Sequence, residues 1–119
     1  MDYQLSLKNL SSKNIYPLGE DFKGTGNSGE TISFTNYYME RNGSPFFGVS
    51  GEFHFSRMNA ERWEDELIKM KMCKINMVTT YVFWIHHEEE EGVFDFSGSK
   101  DIRRFVKLCN KYGLYVILR

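Results

Sequence analysis

Long apolar runs are missing from this sequence, and their absence limits its relation to membranes. No stretch approaches the roughly 18 consecutive apolar residues that a bilayer-spanning helix needs. The first residues, Met1 to Ser6, also lack the basic segment and the long apolar stretch of a secretory signal peptide. We therefore expect no membrane partner and no secretion signal.

An excess of either charge is missing as well. Fifteen basic and sixteen acidic residues leave a formal net charge of −1. Nucleic acids attract strongly basic surfaces, so we expect no nucleic-acid partner. What the chain does contain is 41% apolar and 16% aromatic residues in a total length of 119. That composition is enough for a packed core in one domain of ordinary size.

Cysteine is scarce. The two cysteines, Cys73 and Cys109, fall on apolar positions of two predicted helices. Buried free thiols are the favoured interpretation, and a reducing compartment suits them. We therefore expect a cytoplasmic protein.

The first half of the chain predicts an irregular arm followed by a β-hairpin. Residues 1–30 are rich in Ser, Asn, Gly and Lys and predict an irregular N-terminal arm with one short strand at most. Residues 31–35 and 37–41 have the composition of strands. Asn42-Gly43 is a strong signal for a two-residue hairpin turn. The returning strand is predicted to run through residues 45–55.

Helices and strands alternate in the second half. Asn59 is placed to cap a helix with an apolar stripe at Trp63, Leu67 and Met70. The nearly continuous apolar run Met77–Trp84 then predicts a parallel strand that is covered on both faces.

The same pattern repeats once more. Residues 99–112 predict a second helix, which Gly113 is placed to end. Residues 114–118 predict another buried strand. Strands that alternate with helices of this length indicate an α/β fold built on a parallel sheet.

The loop after the first buried strand, His86-His87 followed by Glu88 to Glu91, allows three interpretations. Zinc helices place two histidines four residues apart, whereas adjacent histidines diverge, so we expect no metal here. Four successive glutamates repel one another and are typical of a solvated loop, which is the favoured interpretation. Catalysis by one of them stays an alternative, because loops after parallel strands often carry active sites.

Two side chains before this loop are candidates for substrate binding. Tyr81 and Trp84 approach the C-terminal end of the predicted strand, where a hydroxyl can hydrogen-bond a sugar and an indole can stack on it. Packing in the core is the alternative for each. One unit earlier, His54 is interpreted as a hydrogen-bonded structural residue rather than a base. Arg57 is interpreted as the partner of a carboxylate, either a buried one such as Glu52 or one supplied by a part of the barrel outside this chain.

Ordered motifs run in one register from residue 37 to residue 119. They are RNGxPFF at 41–47, SGEFHFSR at 50–57, WEDELIKMK at 63–71, TYVFW at 80–84, HE at 87–88, FDFSG at 94–98 and YGLYVILR at 112–119. This series resembles the opening of the catalytic domain of glycoside hydrolase family 35.

The resemblance implies a TIM (β/α)8 barrel that hydrolyses terminal β-galactosides with retention of configuration. Residues 31–119 would be its N-terminal part, and the chain is expected to end after the third barrel strand, Leu114–Leu118. The family's acid/base glutamate follows strand four and its nucleophile follows strand seven, so neither catalytic residue lies in this chain. The family's substrate-contacting tyrosine falls on Tyr81. The resemblance implies no cofactor.

Three positions depart from the family pattern. Ile85 stands where the family usually has Asn, and Glu89 stands where it has Pro. Lys74 stands where a helix-ending glycine is frequent. If that position takes a positive φ, a lysine there costs about 1 kcal/mol. A non-catalytic remnant, or a carbohydrate-contacting piece of a barrel, is the competing hypothesis.

We predict that the 119-residue chain alone hydrolyses no β-galactoside, because retaining hydrolysis needs both carboxyl groups. The measurement is release of the chromophore from a chromogenic β-galactoside by the purified chain. Robust turnover would overturn the prediction and return attention to Glu88–Glu91 as catalytic residues.

Overall fold

The computed structural model describes residues 12–119, so the first eleven residues of the predicted arm lie outside it. The chain divides into two compact units, Met1–Phe47 and Gly48–Arg119. No helix within the described part combines the length and the apolar character needed to cross a membrane.

The first unit contains a four-stranded antiparallel sheet. Its strands lie side by side in chain order: β1 Lys23–Thr25, β2 Thr31–Phe34, β3 Met39–Arg41 and β4 Ser44–Phe46. β1 lies within the predicted arm and follows a short 3-10 turn. Each strand pairs with the next by a short connection, which is the arrangement that antiparallel pairing permits.

The predicted hairpin at Asn42-Gly43 is confirmed. Arg41 pairs with Ser44 across the turn, and the two central residues have φ values of 50° and 74°. Positive φ at both positions is the signature of a type I′ turn, whose twist matches that of the strands. The Asn42 side chain also accepts a hydrogen bond of 2.8 Å from the Thr31 backbone N–H.

The second unit contains a three-stranded parallel sheet, which confirms the predicted α/β class. Its strands are β5 Ser50–Glu52, β6 Met77–Thr80 and β7 Tyr115–Leu118, in that order. Helix α1, Trp63–Met72, connects the first pair, and helix α3, Ile102–Lys111, lies in the connection of the second. A single helical turn, α2 at Trp84–His87, precedes α3.

Two predicted strands were too long. The strand expected over residues 45–55 divides into β4 and β5, which belong to different sheets, and Phe55–Arg57 form a 3-10 turn. The strand expected over Met77–Trp84 ends at Thr80. The apolar run continues past Thr80 into α2. There the backbone forms helical hydrogen bonds instead of strand pairing, such as the bond from Glu88 N–H to the Trp84 carbonyl at 2.9 Å.

The core of the second unit lies between the sheet and the two longer helices. Its buried apolar residues are Phe55, Ala60, Trp63, Leu67, Val78, Phe105, Cys109 and Leu114. The predicted stripe of the first helix is therefore correct at Trp63 and Leu67, whereas Met70 is only partly buried. Burial raises the pKa of the Cys109 thiol to about 12. Cys73 is exposed, against expectation, because it lies just past the end of α1.

Helices α1 and α3 end in the same hydrogen-bond pattern. After α1, Lys74 N–H reaches the Lys71 carbonyl at 3.0 Å and Ile75 N–H reaches the Met70 carbonyl at 3.2 Å. This pair of bonds defines a Schellman motif, which places one residue in the left-handed conformation. After α3 that residue is Gly113, with φ 61°, but after α1 it is Lys74, with φ 65°. A lysine thus occupies a position that favours glycine.

We expect Lys74→Gly to stabilise the protein by about 1 kcal/mol, because it removes the strain of a side chain at positive φ. The measurement is the midpoint of thermal unfolding. Lys107→Gly is the matched control, since the same change at an exposed position inside α3 should destabilise by about 1 kcal/mol. A lower midpoint for Lys74→Gly would contradict the assignment of strain.

Candidate functional site

The carboxyl ends of the three parallel strands bring a group of polar and aromatic side chains together. Parallel strands present these ends at one edge of the sheet, where ligands of α/β proteins bind. Glu52 ends β5 and His54 follows it, Tyr81 follows β6, and Arg119 follows β7. We call Glu52, His54, Tyr81, Phe83 and Arg119 the strand-end cluster.

An ion pair forms the charged part of the cluster. The Arg119 guanidinium donates to a carboxylate oxygen of Glu52, and Nε2 of His54 lies 3.9 Å from the other oxygen. Arg57 was expected to pair with Glu52 or with a carboxylate outside this chain, and the first of these two partners is wrong. Its guanidinium instead lies over the Phe83 ring, 5.9 Å from the centroid, and Glu52 is more than half exposed rather than buried.

His54 takes a structural role, in agreement with the favoured interpretation. Its Nδ1 accepts a 3.3 Å hydrogen bond from the Tyr81 backbone N–H. A neutral imidazole that accepts at Nδ1 carries its proton on Nε2, the atom that faces the Glu52 carboxylate. The ring centroid also lies 5.2 Å from that of Tyr81 and 6.2 Å from that of Phe83. His54 therefore links β5 to the start of the segment after β6.

Tyr81 has a packed ring and a free hydroxyl. The ring centroid lies 5.7 Å from that of Phe83 and 4.4 Å from the guanidinium carbon of Arg119, which is within range of a cation–π interaction. Over residues 12–119, no hydrogen bond involves the Tyr81 hydroxyl, and 40% of the residue is exposed. This placement leaves the hydroxyl available to a ligand. Its role in substrate binding stays a prediction.

Trp84 is not brought into contact with the strand-end cluster. It lies in α2, 62% exposed, and its indole N–H donates to the Glu88 carboxylate. Its ring meets the edge of Phe94, with centroids 5.7 Å apart. Core packing is excluded for this residue by its exposure, and its predicted role in stacking on a sugar is untested.

The loop that contains the two histidines is organised around a buried ring. His87 is 1% exposed and stacks between Phe55 and Phe96, at centroid distances of 5.9 and 4.8 Å. Its Nδ1 lies 3.2 Å from the Asp95 carbonyl oxygen. Within residues 12–119, no group of three or more His, Cys, Asp or Glu side chains is arranged to hold a metal ion.

The glutamates of the loop are mostly exposed and partly engaged in holding its shape. Glu88 accepts a 2.7 Å hydrogen bond from the Gly92 backbone N–H. Lys100 bridges Glu89, at 2.8 Å, and Asp95, at 3.4 Å. A cavity of about 280 Å³ is lined by Glu89, Asp95 and Lys100 together with His87.

The charges in this loop favour ionised carboxylates. The hydrogen bond from Lys100 lowers the pKa of Glu89, and hydrogen bonds from Ser97 lower the pKa of Asp95. A general acid at neutral pH needs a raised pKa. Glu89 is therefore unsuited to that role, which weakens the catalytic alternative for this loop.

Sequence reasoning missed Arg119 and Phe83 as members of the strand-end cluster. Arg119 is a single charged residue directly after an apolar strand, and that position was the available signal. The strand itself, predicted to be buried, is half-buried at Tyr115 and Val116 and exposed at Ile117 and Leu118. Phe83 lies in the apolar run that predicts a continuous strand. That pattern gives no indication that the Phe83 ring packs near His54.

Comparison with known proteins finds one matching family model and several similar proteins. The sequence model for glycosyl hydrolases family 35 matches residues 36–119. A β-galactosidase of Canis lupus familiaris is 43% identical over 89 residues, which cover 75% of this chain and 13% of that protein. Human β-galactosidase-1-like protein 2 is 46% identical over 84 residues, covering 71% of this chain and 13% of the relative.

A third relative extends the match toward the N-terminus. Human β-galactosidase-1-like protein 3 is 41% identical over 115 residues, 97% of this chain. The matched region is 16% of that protein's length. The chain thus spans only about a sixth or less of the relatives named here.

We predict that Lys100→Gln lowers the melting temperature more at pH 7 than at pH 3. The pKa of Glu89 is depressed in the folded state, so the stability from its pairing with Lys100 is present above the unfolded pKa of about 4.3 and is lost as pH falls through the folded value. The measurement is the difference in melting temperature from the wild type at both pH values.

Lys107→Gln is the control for this pH dependence, since Lys107 is an exposed lysine of α3. We expect its difference from the wild type to be small and unchanged between the two pH values. An equal effect of Lys100→Gln at pH 7 and pH 3 would show that its aliphatic chain, rather than its charge, supports the loop.

Proposed function

The chain belongs to glycosyl hydrolase family 35, and on that premise we propose that it forms part of the catalytic barrel of a retaining glycosidase acting on terminal β-galactosides. The match over residues 36–119 and the names of its relatives support the activity. Three parallel strands in chain order, connected through helices, support the closed (β/α)8 barrel, whose first strands have this arrangement.

The single observation that carries the proposal is the strand-end cluster. In (β/α)8 enzymes the active site lies at the carboxyl ends of the strands. Here that edge presents the free hydroxyl of Tyr81 beside an aromatic and charged surface, which suits the hydroxyl groups and apolar faces of a sugar. The substrate of the whole protein would be a β-galactoside oligosaccharide or glycoside.

The chemistry requires two carboxyl groups about 5 to 5.5 Å apart, one as nucleophile and one as acid/base. Glu52 is the carboxylate of the cluster, and it accepts a hydrogen bond from Arg119. The family resemblance assigns both catalytic carboxyls to later strands. This chain would therefore contribute substrate binding rather than the reacting groups.

A non-catalytic remnant is the second candidate. The departures at Ile85 and Glu89 favour it, since both lie in the segment between β6 and α3, and Ile85 is 76% exposed. The coding sequence beyond Arg119 separates the two proposals. A frame that continues with further glutamates after strands supports the enzyme, whereas an immediate authentic stop codon supports the remnant.

We also propose a cytoplasmic location. Both cysteines are free thiols, and free thiols suit a reducing compartment. Cell fractionation with an antibody against the chain tests this, and recovery in an oxidising compartment would contradict it.

We expect Tyr81→Phe in the active enzyme to lower kcat/KM about threefold to tenfold, because one hydrogen bond to a neutral group contributes roughly 0.5 to 1.5 kcal/mol. The loss would be larger if the bond tightens in the transition state. The melting temperature should barely change, because the ring and its contacts remain. Steady-state kinetics and thermal unfolding of one variant provide both measurements.

Tyr112→Phe is the matched control. The Tyr112 hydroxyl donates a 2.5 Å hydrogen bond to Glu64, at the end of α3 and outside the strand-end cluster. The same chemical change should there lower the melting temperature and leave the kinetics near normal. If Tyr81→Phe gives that pattern instead, Tyr81 serves the scaffold and is not a substrate-binding residue.

A further inference from the structure

We propose that Arg119, held by Glu52, is a positioning residue that fixes the Tyr81 ring so that its hydroxyl points at the substrate. The inference rests on the proposed function, because it assigns Tyr81 to substrate binding. It adds a role for the ion pair that neither the family match nor the names of the relatives assign.

The backbones of Tyr81 and Arg119 are already held in register. Arg119 N–H donates to the Thr80 carbonyl at 3.1 Å, and Val82 N–H donates to the Arg119 carbonyl at 2.8 Å. These bonds extend the pairing of β6 with β7 by one step beyond the strands. His54 accepts from the Tyr81 N–H. The backbone is therefore fixed on both sides, and only the side-chain torsions of Tyr81 need a further constraint.

Arg119 supplies that constraint from one face of the ring. Its guanidinium carbon lies 4.4 Å from the ring centroid, while His54 and Phe83 contact the ring at centroid distances of 5.2 and 5.7 Å. The phenol thus contacts three planar groups, and its hydroxyl stays free. A ring confined in this way keeps its hydroxyl in one place without bonding to it.

The shape of arginine explains why the pair can do this. A guanidinium is planar, so it can stack on a ring while its N–H groups donate in its own plane. The Arg119 guanidinium lies over the Tyr81 ring and donates to Glu52 at the same time. A lysine keeps the charge, but its ammonium cannot reproduce both contacts with one planar group.

Stability alone is a weak explanation for the pair. The side chains of Glu52 and Arg119 are 57% and 42% exposed, and exposed ion pairs contribute little to folding. Orientation of a ligand-binding group is different, because a displacement of about 1 Å at an active site can lower the rate about a hundredfold. The pair thus has more influence on the position of Tyr81 than on unfolding.

The test is a double-mutant cycle in the active enzyme with Arg119→Lys, Tyr81→Phe and the double variant. We expect Arg119→Lys alone to lower kcat/KM by no more than the roughly threefold to tenfold loss of Tyr81→Phe, because displacing the hydroxyl costs at most what removing it costs. In the Tyr81→Phe background the same change should lower it less than about twofold, because the hydroxyl it positions is gone. Its effect on the melting temperature should be equal in both backgrounds.

Arg104→Lys is the matched control, since the Arg104 guanidinium lies 5.8 Å from the Trp63 ring centroid and outside the strand-end cluster. It should leave kcat/KM unchanged. Equal losses from Arg119→Lys in the wild-type and Tyr81→Phe backgrounds would overturn the proposal, because Arg119 would then act without the Tyr81 hydroxyl. No loss from the single variant would also overturn it.

A second measurement does not depend on activity. With 3-fluorotyrosine incorporated, the ¹⁹F resonance of Tyr81 is assigned by its loss in Tyr81→Phe. We expect it to shift or broaden in Arg119→Lys and to stay unchanged in Arg104→Lys. A protein that shows this change but does not hydrolyse β-galactosides would refute the proposed function and leave the positioning role intact. An active enzyme with an unmoved resonance would refute the positioning role alone.

Discussion

The second unit depends on the burial of the Trp63 indole. The side chain is fully buried, and its N–H donates to two carbonyls, those of Phe55 at 3.1 Å and Met58 at 3.0 Å. A buried donor without a partner is costly, so these bonds determine where the turn after β5 lies. The indole also meets the edges of Phe55 and Phe105. One residue of α1 thereby joins the exit of β5 to α3.

The strand-end cluster follows from that constraint. Because Phe55 is fixed by Trp63, the preceding His54 leaves β5 in a defined direction and reaches the Tyr81 N–H. His87 stacks on the Phe55 ring and directly precedes the glutamates of the acidic loop. The same aromatic core thus supports both the cluster and the loop beside it. This explains how an exposed edge of a small sheet can keep side chains in order.

Sequence periodicity and turn residues were sufficient to predict the helix that buries one face and the tight hairpin turn. Trp63 and Leu67 fall at helical spacing and are buried, and Asn42-Gly43 allows one tight turn, so both elements were predictable. Strand ends were not, because the apolar run through Trp84 reads alike whether its backbone pairs with β7 or turns into α2. The pairing of Arg119 with Glu52 joins residues 67 positions apart. Such a contact depends on the register of three strands, which no local pattern contains.

The order of the parallel strands has a consequence for synthesis on the ribosome. β5, β6 and β7 are neighbours in the same order in which they are translated, so each strand finds its partner in chain that has already emerged. Ser50 pairs with Met77 and Met77 pairs with Tyr115, and the intervening helix has been made before each pairing is needed. Folding can therefore proceed from the N-terminal side one βα step at a time. Each step pairs the backbone edge that the previous step left open, which shortens the time that edge is open to aggregation.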